Sequence, residues 1–270
     1  MTEELKDRVR EFWDAASCGE VYAEGVAFED QVEAQARARY ELEPYIAGFA
    51  RFAEGRGRDV LEVGVGMGAD HVEWARSRPR RLAGVDLTPR AIEWTQRRLA
   101  VAGLTSELRT ADAEHLPFDD ESFDVVYSWG VLHHTPDTAA ALREVHRVLR
   151  PGGTARVMVY HSRSIVGAIL WTRYALLAGR PRTPMAEVYA AHLESPGTQA
   201  FTVAEARALT ADFANVRIET RLAFGDLLLG EVGQRHGGRA LALAKRLWPR
   251  PLIRRLLPRY GLLLLIEAGK

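Results

Sequence analysis

The middle of the chain alternates short apolar segments with longer amphipathic ones. The short segments have the length and the apolar, β-branched composition of strands, and they cover residues 59–63, 82–86, 106–110, 123–128 and 154–160. The longer segments carry apolar residues at helical spacing, and they cover residues 69–77, 89–102 and 138–149. Strand–helix alternation of this kind predicts an α/β fold with a parallel sheet covered by helices on both faces.

The two ends depart from this alternation. Residues 5–53 are expected to be helical, with a loop at CGEVYAEG. After the fifth strand come an apolar helix at 165–177 and a loop rich in Pro and Gly. Thr202 and Glu205 form a capping-box pattern for a helix over 202–211. The remaining elements are expected to be a strand at 216–222, a helical insertion at 225–258 and a last strand at 261–268. The chain is accordingly divided into a helical cap or lid (1–54), a core (55–160), a cap insertion (161–200) and a C-terminal part of the core (201–270).

The charges are balanced in total but segregated along the chain. Lys and Arg number 36, as do Asp and Glu, so no overall charge points to nucleic acid. Residues 2–54 carry 13 acids and 6 Lys or Arg, whereas 145–186 and 234–260 carry no acid and 7 and 8 Lys or Arg. With a single cysteine, Cys18, no intrachain disulfide can form, which fits a cytoplasmic location. The charged start of the chain has no apolar signal-peptide run.

The first strand is followed by a glycine-rich turn, Gly64-Val-Gly66-Met-Gly68, that opens a helix. Such a turn lets a ligand approach the backbone and directs free N–H groups at it. The spacing is GxGxG rather than the GxGxxG of dinucleotide sites, and Glu62 stands just before it. A carboxylate there would oppose a pyrophosphate but suits a cationic or hydroxyl-bearing ligand.

Four ordered motifs carry a resemblance to a known family. The segments VLEVGVGMGAD, GVDLTP, TADAEHLPFDDESFDVVYSWGVLHH and LREVHRVLRPGG resemble the successive motifs of class I S-adenosylmethionine-dependent methyltransferases. They are most similar to the small-molecule branch that includes the ubiquinone and menaquinone methyltransferases, and the resemblance covers about 55–160. It implies a Rossmann-like fold with a seven-stranded mixed sheet, a last strand antiparallel beside 216–222, a helical cap, and S-adenosyl-L-methionine as cofactor.

The same resemblance implies roles for particular residues. The three glycines would lie behind the methionine portion and the ribose, Glu62 would support the loop or the amino end, and Asp86 would accept from both ribose hydroxyls. The other implied cofactor contacts are Leu87, Asp112 and Ala113 at the adenine, and Ser128 and Trp129 on the methionine side. Each of Asp86, Asp112 and Glu62 also has a structural interpretation, as a helix cap, a turn residue or a buried support. Tyr22, in a loop that could close as a lid, is a further candidate contact.

Catalysis requires mainly that an acceptor atom be held in line with an already activated methyl group. A hydroxyl or carbon acceptor usually needs a base as well, and the candidates at strand ends are His133, His134, Tyr160 and His161. The alternative is that one of the paired histidines packs structurally. His71 and Cys18 are expected to be structural, and no metal site is expected.

The basic caps lead to three interpretations that the sequence leaves open. Arginines such as Arg156, Arg163, Arg173, Arg180, Arg254 and Arg255 accompany apolar residues, a combination that suits an apolar acceptor with a negative group. Alternatively, residues 234–260 form a basic amphipathic stretch on a membrane surface, or the arginines are a solvated face. The expected function is methyl transfer to O, N or C of a small molecule. The rivals are a non-methylating reaction on the same fold and a non-catalytic cofactor-binding protein. The sequence is also compatible with a homodimer.

Overall fold

A mixed β-sheet lies at the centre of the computed structural model, which describes residues 2–229 and 245–270. Within those residues the sheet has seven strands in the order β3-β2-β1-β4-β5-β7-β6. The strands are β1 (Asp59–Val63), β2 (Arg81–Asp86), β3 (Glu107–Thr110), β4 (Phe123–Trp129), β5 (Leu149–Tyr160), β6 (Ala214–Arg221) and β7 (Leu263–Gly269). The first five are parallel, and β7 runs antiparallel between β5 and β6. The predicted fold, including the insertion of the last strand, is confirmed.

Helices flank the sheet on both faces because the central strands are apolar on both sides. Every residue of β1 is buried, as are most residues of β4 and β7. The helices of the described residues are α1 (Thr2–Ala15), α2 (Phe28–Leu42), α3 (Ile46–Ala50), α4 (Ala69–Arg76), α5 (Pro89–Val101), α6 (Thr138–Val148), α7 (Ile165–Trp171), α8 (Met185–His192), α9 (Val203–Leu209) and α10 (Arg250–Leu256). None of them has the length and apolar character needed to cross a membrane.

Local capping signals in the sequence mark several helix starts correctly. The Thr88 hydroxyl accepts from the backbone N–H of Ala91 at 3.3 Å, so Thr88 caps α5 with Pro89 at the first helical position. Thr202 and Glu205 form the predicted capping box at the start of α9. These starts were predictable because a cap acts through residues only two or three positions away.

Three predicted elements differ from the structure. β5 begins at Leu149, directly after α6, and runs through Pro151–Gly153, whereas the sequence predicted a strand only over 154–160. The helix expected over 165–177 ends at Trp171 and continues as one π-helical turn, Thr172–Leu176. Of the predicted insertion at 225–258, the structure describes 225–229 and 245–258, which include α10, and 230–244 lie outside the described residues. The four-part division of the chain stays a prediction.

The N-terminal helices lie against the edge of the sheet where the parallel strands end. Arg39 of α2 forms a two-pronged ion pair with Asp70 in the first turn of α4, with N–O distances of 2.9 and 2.6 Å. The hydroxyls of Tyr40 and Tyr127 donate to the same carboxylate at 3.0 and 2.7 Å. Burial would raise the pKa of Asp70, but the Arg39 charge and these hydrogen bonds hold it below its usual value. Asp70 therefore anchors α2 beside the glycine-rich turn.

Candidate cofactor and acceptor site

A cavity of about 310 Å³ opens at the carboxyl ends of β1, β2, β4 and β5. Its floor is formed by the glycine-rich turn and the strand ends, and its roof by α1 and by residues of the segment 161–200. Lys6, Val9 and Trp13, which lie on one face of α1, contribute to the roof. Ligands of open α/β sheets bind at this edge, which makes the cavity the candidate functional site.

The three glycines of the turn are required for different reasons. All three have positive φ, at 84° for Gly64, 51° for Gly66 and 74° for Gly68. A Cβ on Gly64 would stand 2.0 Å from Val131, and one on Gly68 would stand 2.8 Å from the Thr95 hydroxyl. A Cβ on Gly66 would meet nothing within 4 Å, because this residue faces the open cavity. Gly64 and Gly68 thus allow the turn to pack, while Gly66 leaves space for a ligand.

Asp86 lies at the end of β2, and its carboxylate is hydrogen-bonded to the backbone of the glycine-rich turn. Its Oδ2 accepts from the Gly66 backbone N–H at 3.0 Å, and its Oδ1 accepts from the Thr88 backbone N–H at 3.0 Å and hydroxyl at 2.9 Å. Burial raises the pKa of Asp86 above its usual value, partly offset by these donors. The carboxylate is held rigidly on the cavity wall, where Oδ2, which accepts only one of these bonds, retains acceptor capacity for a ligand hydroxyl.

Asp112 lies on the cavity wall after β3, and α1 reaches across to it. Lys6 Nζ donates to Asp112 Oδ2 at 2.6 Å and lies 2.7 Å from Glu114 Oε2. The Glu114 backbone N–H donates to Asp112 Oδ1 at 2.9 Å. Burial would raise the pKa of Asp112, but the Lys6 ammonium and that backbone donor hold it below its usual value. The predicted adenine acceptor is therefore already the anchor of the N-terminal helix.

Glu62 forms the innermost polar contact of the site, in a chain with His71 and Ser106. The Ser106 hydroxyl donates to the Leu82 carbonyl at 2.9 Å, and His71 Nε2 lies 2.8 Å from the Ser106 oxygen. His71 Nδ1 lies 2.9 Å from Glu62 Oε2. Burial, together with the charge of Asp70, raises the pKa of Glu62 well above its usual range, and burial lowers the pKa of His71 to about 3. A neutral Glu62 donating to a neutral His71 satisfies every member of this chain.

Tyr160 and His134 meet at the other end of the cavity, around Glu194. The Tyr160 hydroxyl donates to Glu194 Oε2 at 2.8 Å, and His134 Nε2 lies 3.3 Å from the same oxygen. The opposite ring nitrogen of His134 lies 2.8 Å from the Ser195 hydroxyl and 3.1 Å from that of Thr198. Trp13 of α1 packs edge-on against the His134 ring, with centroids 5.2 Å apart. All of these groups except Ser195 and Thr198 line the cavity.

The structure brings most of the predicted cofactor residues to this cavity. Its wall includes the residues that the resemblance assigned to the methionine portion, the ribose and the adenine, namely Glu62, Gly64, Gly66, Gly68, Asp86, Leu87, Asp112, Ala113 and Trp129. Trp129 stacks on Tyr45, with centroids 6.0 Å apart. Their roles toward a bound ligand remain predictions.

Four predicted residues lie off the cavity wall. Ser128 is fully buried and donates to the Val63 carbonyl at 2.9 Å, because successive strand residues face opposite sides and Trp129 takes the cavity side. For the same reason His161 points away from Tyr160, and its Nδ1 lies 3.1 Å from the Gly261 carbonyl. His133 is buried behind His134. Tyr22 ends a 3₁₀ turn that the Glu20–Arg90 ion pair fastens to α5, and Cys18 lines the wall instead.

The arginines of the basic segments do not form one surface. Arg156 is almost completely buried, and it donates to the Ala50 carbonyl at 2.9 Å and to Glu54. Its inclusion in an acceptor-facing set is therefore wrong, since it holds α3 against β5. Arg173 lines the cavity, and the exposed members of the set are Arg163, Arg173, Arg180, Arg254 and Arg255. The membrane-surface and solvated-face interpretations of 234–260 stay predictions, because 234–244 lie outside the described residues.

The core of the chain is similar in sequence to known methyltransferases. Residues 61–157 match the family model described as a methyltransferase domain. A fatty-acid O-methyltransferase of Mycolicibacterium smegmatis is 41% identical over 116 residues, which cover 43% of this chain and 41% of that protein. The methyltransferase GfsG of Streptomyces halstedii is 28% identical over 227 residues, covering 82% of this chain and 77% of that protein. The match to the first relative thus spans about two fifths of its length.

Two solved structures share the fold. A Haemonchus contortus phospholethanolamine N-methyltransferase, crystallised with S-adenosylhomocysteine, has a TM-score of 0.62 at 16% identity, over 97% of this chain and 60% of that one. The [4+2]-cyclase SpnF has a TM-score of 0.57 at 17% identity, over 99% of this chain and 94% of that one. These two likenesses show that the chain shares their fold, while the methyltransferase-domain match applies to residues 61–157 and supports S-adenosylmethionine as the cofactor bound there. The closer likeness to the ubiquinone branch stays a prediction.

Several residues of the site are absent from the sequence-based set. Glu194, in the loop after α8, has no local pattern that would have pointed to it. Lys6 could have been found, because it shares the helical face of Val9 and Trp13. Arg39 of α2 and Glu43 directly after that helix also line the cavity, and only the packing of α2 against α4 brings them there.

Proposed function

We propose that this protein transfers the methyl group of S-adenosylmethionine to a small, largely apolar molecule and releases S-adenosylhomocysteine. The observation that carries the proposal is the continuity of one cavity. Its wall runs from Asp112, Asp86 and the glycine-rich turn to Tyr160 and Glu194. The cofactor part of the cavity, at Asp112, Asp86 and the glycine-rich turn, is thus continuous with a second part at Tyr160 and Glu194, here called the acceptor compartment. Group transfer between two bound molecules requires such a shared space.

The cofactor end has the donors and acceptors that this cofactor needs. Asp86 offers its Oδ2 to a ribose hydroxyl, and Gly66 leaves room for the ligand beside it. The cofactor, when bound, supplies the activated methyl group. The chain's own contribution is to hold the donor and the acceptor in line and to exclude water under the roof formed by α1.

The acceptor compartment suits an apolar molecule. Its wall contains the aliphatic and aromatic side chains of Met158, Val166, Ile169, Leu170, Leu193, Phe224, Leu228, Leu262 and Leu263. Among the residues that the structure describes, Arg173 supplies a cation on this part of the wall, and it is exposed. An acceptor with an apolar body and one anionic or polar group fits this arrangement. The name of the fatty-acid O-methyltransferase is in keeping with an acceptor of low polarity.

His134 and Glu194 are the groups that could accept a proton from an acceptor hydroxyl. Both line the cavity and Tyr160 orients the carboxylate, so these residues, rather than His161 or His133, stand beside the acceptor compartment. Replacement of His134 by Ala should lower turnover without weakening cofactor binding if the imidazole takes part in the reaction. Unchanged turnover would remove His134 from the mechanism.

The proposal is tested by cofactor binding and by product analysis. Asp86→Ala should lose calorimetrically detectable binding of S-adenosylmethionine while keeping the circular dichroism spectrum of the wild type. Asp212→Ala, which changes an exposed carboxylate far from the cavity, is the matched control. Equal binding by both variants would reject the cofactor site.

A second experiment separates methyl transfer from its rivals. The protein is incubated with methyl-labelled S-adenosylmethionine and an extract, and the labelled product is identified. Labelled small molecule together with S-adenosylhomocysteine supports the proposal. Binding without release of S-adenosylhomocysteine would instead indicate a non-methylating or non-catalytic protein.

A further inference from the structure

Two clusters of metal-ligating side chains occur among residues 2–229 and 245–270. One consists of Asp112, Glu114 and His115, and the other of His133, His134 and Glu194. In the first cluster the Lys6 ammonium lies within 2.7 Å of both carboxylates and acts as the cation. In the second, no Lys or Arg of the described residues forms an ion pair with Glu194. The two clusters therefore differ in whether the chain itself supplies a positive charge.

His134 presents an unsatisfied nitrogen to this second cluster. Its Nδ1 lies 2.8 Å from the Ser195 hydroxyl and 3.1 Å from that of Thr198, which can each accept from a protonated Nδ1. The Nε2 then carries a lone pair. It is buried without a hydrogen-bond partner, 3.3 Å from Glu194 Oε2. A metal-bound histidine typically donates its other ring N–H to an oxygen in this way.

His133 adds a second imidazole, and its ring nitrogens are buried without hydrogen-bond partners among the described residues. The residue is fully buried. Its ring packs against those of His134 and Tyr160, with centroids 4.3 and 4.0 Å away. An unsatisfied buried polar group costs about 1–3 kcal/mol, so a ligand for these nitrogens would remove a real penalty.

We propose that His133, His134 and Glu194 bind a divalent metal ion of the zinc type, with an open position toward the cavity. Their ligand atoms lie within 4.8 Å of one another. Bonds of about 2.0–2.1 Å in a tetrahedron place neighbouring ligand atoms roughly 3.3 Å apart, and the His134 Nε2 to Glu194 Oε2 distance is 3.3 Å. Two histidines and one carboxylate with an open fourth position form a known catalytic zinc set. Tyr160 donates to Glu194 and orients the ligating carboxylate.

The fourth position would face the acceptor compartment, because His134, Glu194 and Tyr160 line it. Its ligand would be a hydroxyl or carboxylate oxygen of the acceptor, which a divalent cation would polarise, and with the metal bound His134 and Glu194 would act as ligands instead of accepting a proton. Metal binding itself does not depend on the proposed methyl transfer. The sequence predicted no metal here, since adjacent histidines and a carboxylate 60 positions later form no recognised spacing.

The test is a Co²⁺ titration of the full chain after treatment with a chelator. Wild-type protein should take up about one Co²⁺ per chain with the visible absorption of a four- or five-coordinate site, and Zn²⁺ should displace it. Glu194→Gln, which keeps the side-chain shape, should bind at least about tenfold more weakly and lose that absorption. His115→Ala, in the cluster that Lys6 already neutralises, is the matched control and should bind as the wild type does.

Failure would be visible independently of methyl transfer. No visible absorption in the wild type, or equal binding by Glu194→Gln, would overturn the proposal. His134→Asn is a second variant in case Glu194→Gln does not fold, as judged by circular dichroism. Loss of S-adenosylmethionine binding, by contrast, would count against the proposed function alone, because the metal readout uses no cofactor.

Discussion

Lys6 Nζ and Asp112 Oδ2 lie 2.6 Å apart, and this contact joins the first helix to the loop after β3. The Lys6 side chain is only 7% exposed, and Glu114 shares its charge from 2.7 Å. Burial alone would lower the pKa of Lys6, but the hydrogen bonds and charges of Asp112 and Glu114 outweigh burial and raise it above its usual value. The roof of the cavity is thus held in place by an ion pair to a residue of the predicted cofactor site.

Replacing Lys6 by Met should destabilise the protein by about 1–3 kcal/mol, because two shielded carboxylates then lose their cation. Urea unfolding measures this loss, and limited proteolysis should cleave within α1 sooner than in the wild type. Arg10→Met removes an exposed ion pair with Asp7 on the same helix and should cost less than about 0.5 kcal/mol. Equal effects of the two substitutions would show that Lys6 does not hold α1.

Gly66→Ala should weaken S-adenosylmethionine binding by at least about tenfold, because the added methyl group projects into the cavity. The substitution meets no protein atom, so its stability cost should be only the roughly 1–2 kcal/mol of an alanine at positive φ. Gly103→Ala is the control, since Gly103 has φ 66°, open space and a position outside this cavity. It should lose similar stability and bind normally; weak binding by both variants would point to general destabilisation instead.

Glu43 should make stability depend on pH in a defined direction. Burial raises the pKa of Glu43 to about 7, despite the Arg39 charge and hydrogen bonds from Tyr45 and Trp129. The folded state therefore holds a proton that the unfolded state has released, so this contribution is complete below about pH 4.5 and is lost as the pH rises through 7. The loss amounts to about 3 kcal/mol.

Glu43→Gln cannot ionise and should lack this dependence. Unfolding free energies of wild type and variant, measured by urea at several pH values from 4.5 to 8, should converge at the low end and diverge at the high end. Parallel curves across the whole range would show that Glu43 ionises normally in the folded protein.

Replacement by Met should destabilise the protein strongly at Arg156 and hardly at all at Arg173. Arg156→Met should cost roughly 2–3 kcal/mol, because the Ala50 carbonyl and Glu54 lose a buried donor. Arg173→Met should change stability by no more than about 0.5 kcal/mol, since its side chain is exposed and lies over the Tyr174 ring. Thermal unfolding distinguishes them, and an Arg156→Met variant as stable as the wild type would show that these buried hydrogen bonds do not hold α3 against β5.

The sequence alone determined what depends on near neighbours along the chain. The alternation of apolar strands and amphipathic helices, the capping box of Thr202 and the glycine-rich turn that opens α4 act over a few positions, and each was predicted correctly. The carboxyl ends of parallel strands must share one edge, so Asp86 and Asp112 were also predictable members of one site.

Only the tertiary structure decided the groups that meet across long separations. Strand alternation directs Tyr160 into the cavity and His161 away from it, and a one-residue difference in register would have reversed them. Glu194 reaches His134 from 60 positions away, and Lys6 reaches Asp112 from 106. No local pattern encodes such contacts, because they depend on how the cap and α1 pack over the strand ends. For this reason the cofactor end was predictable from the sequence and the acceptor end was not.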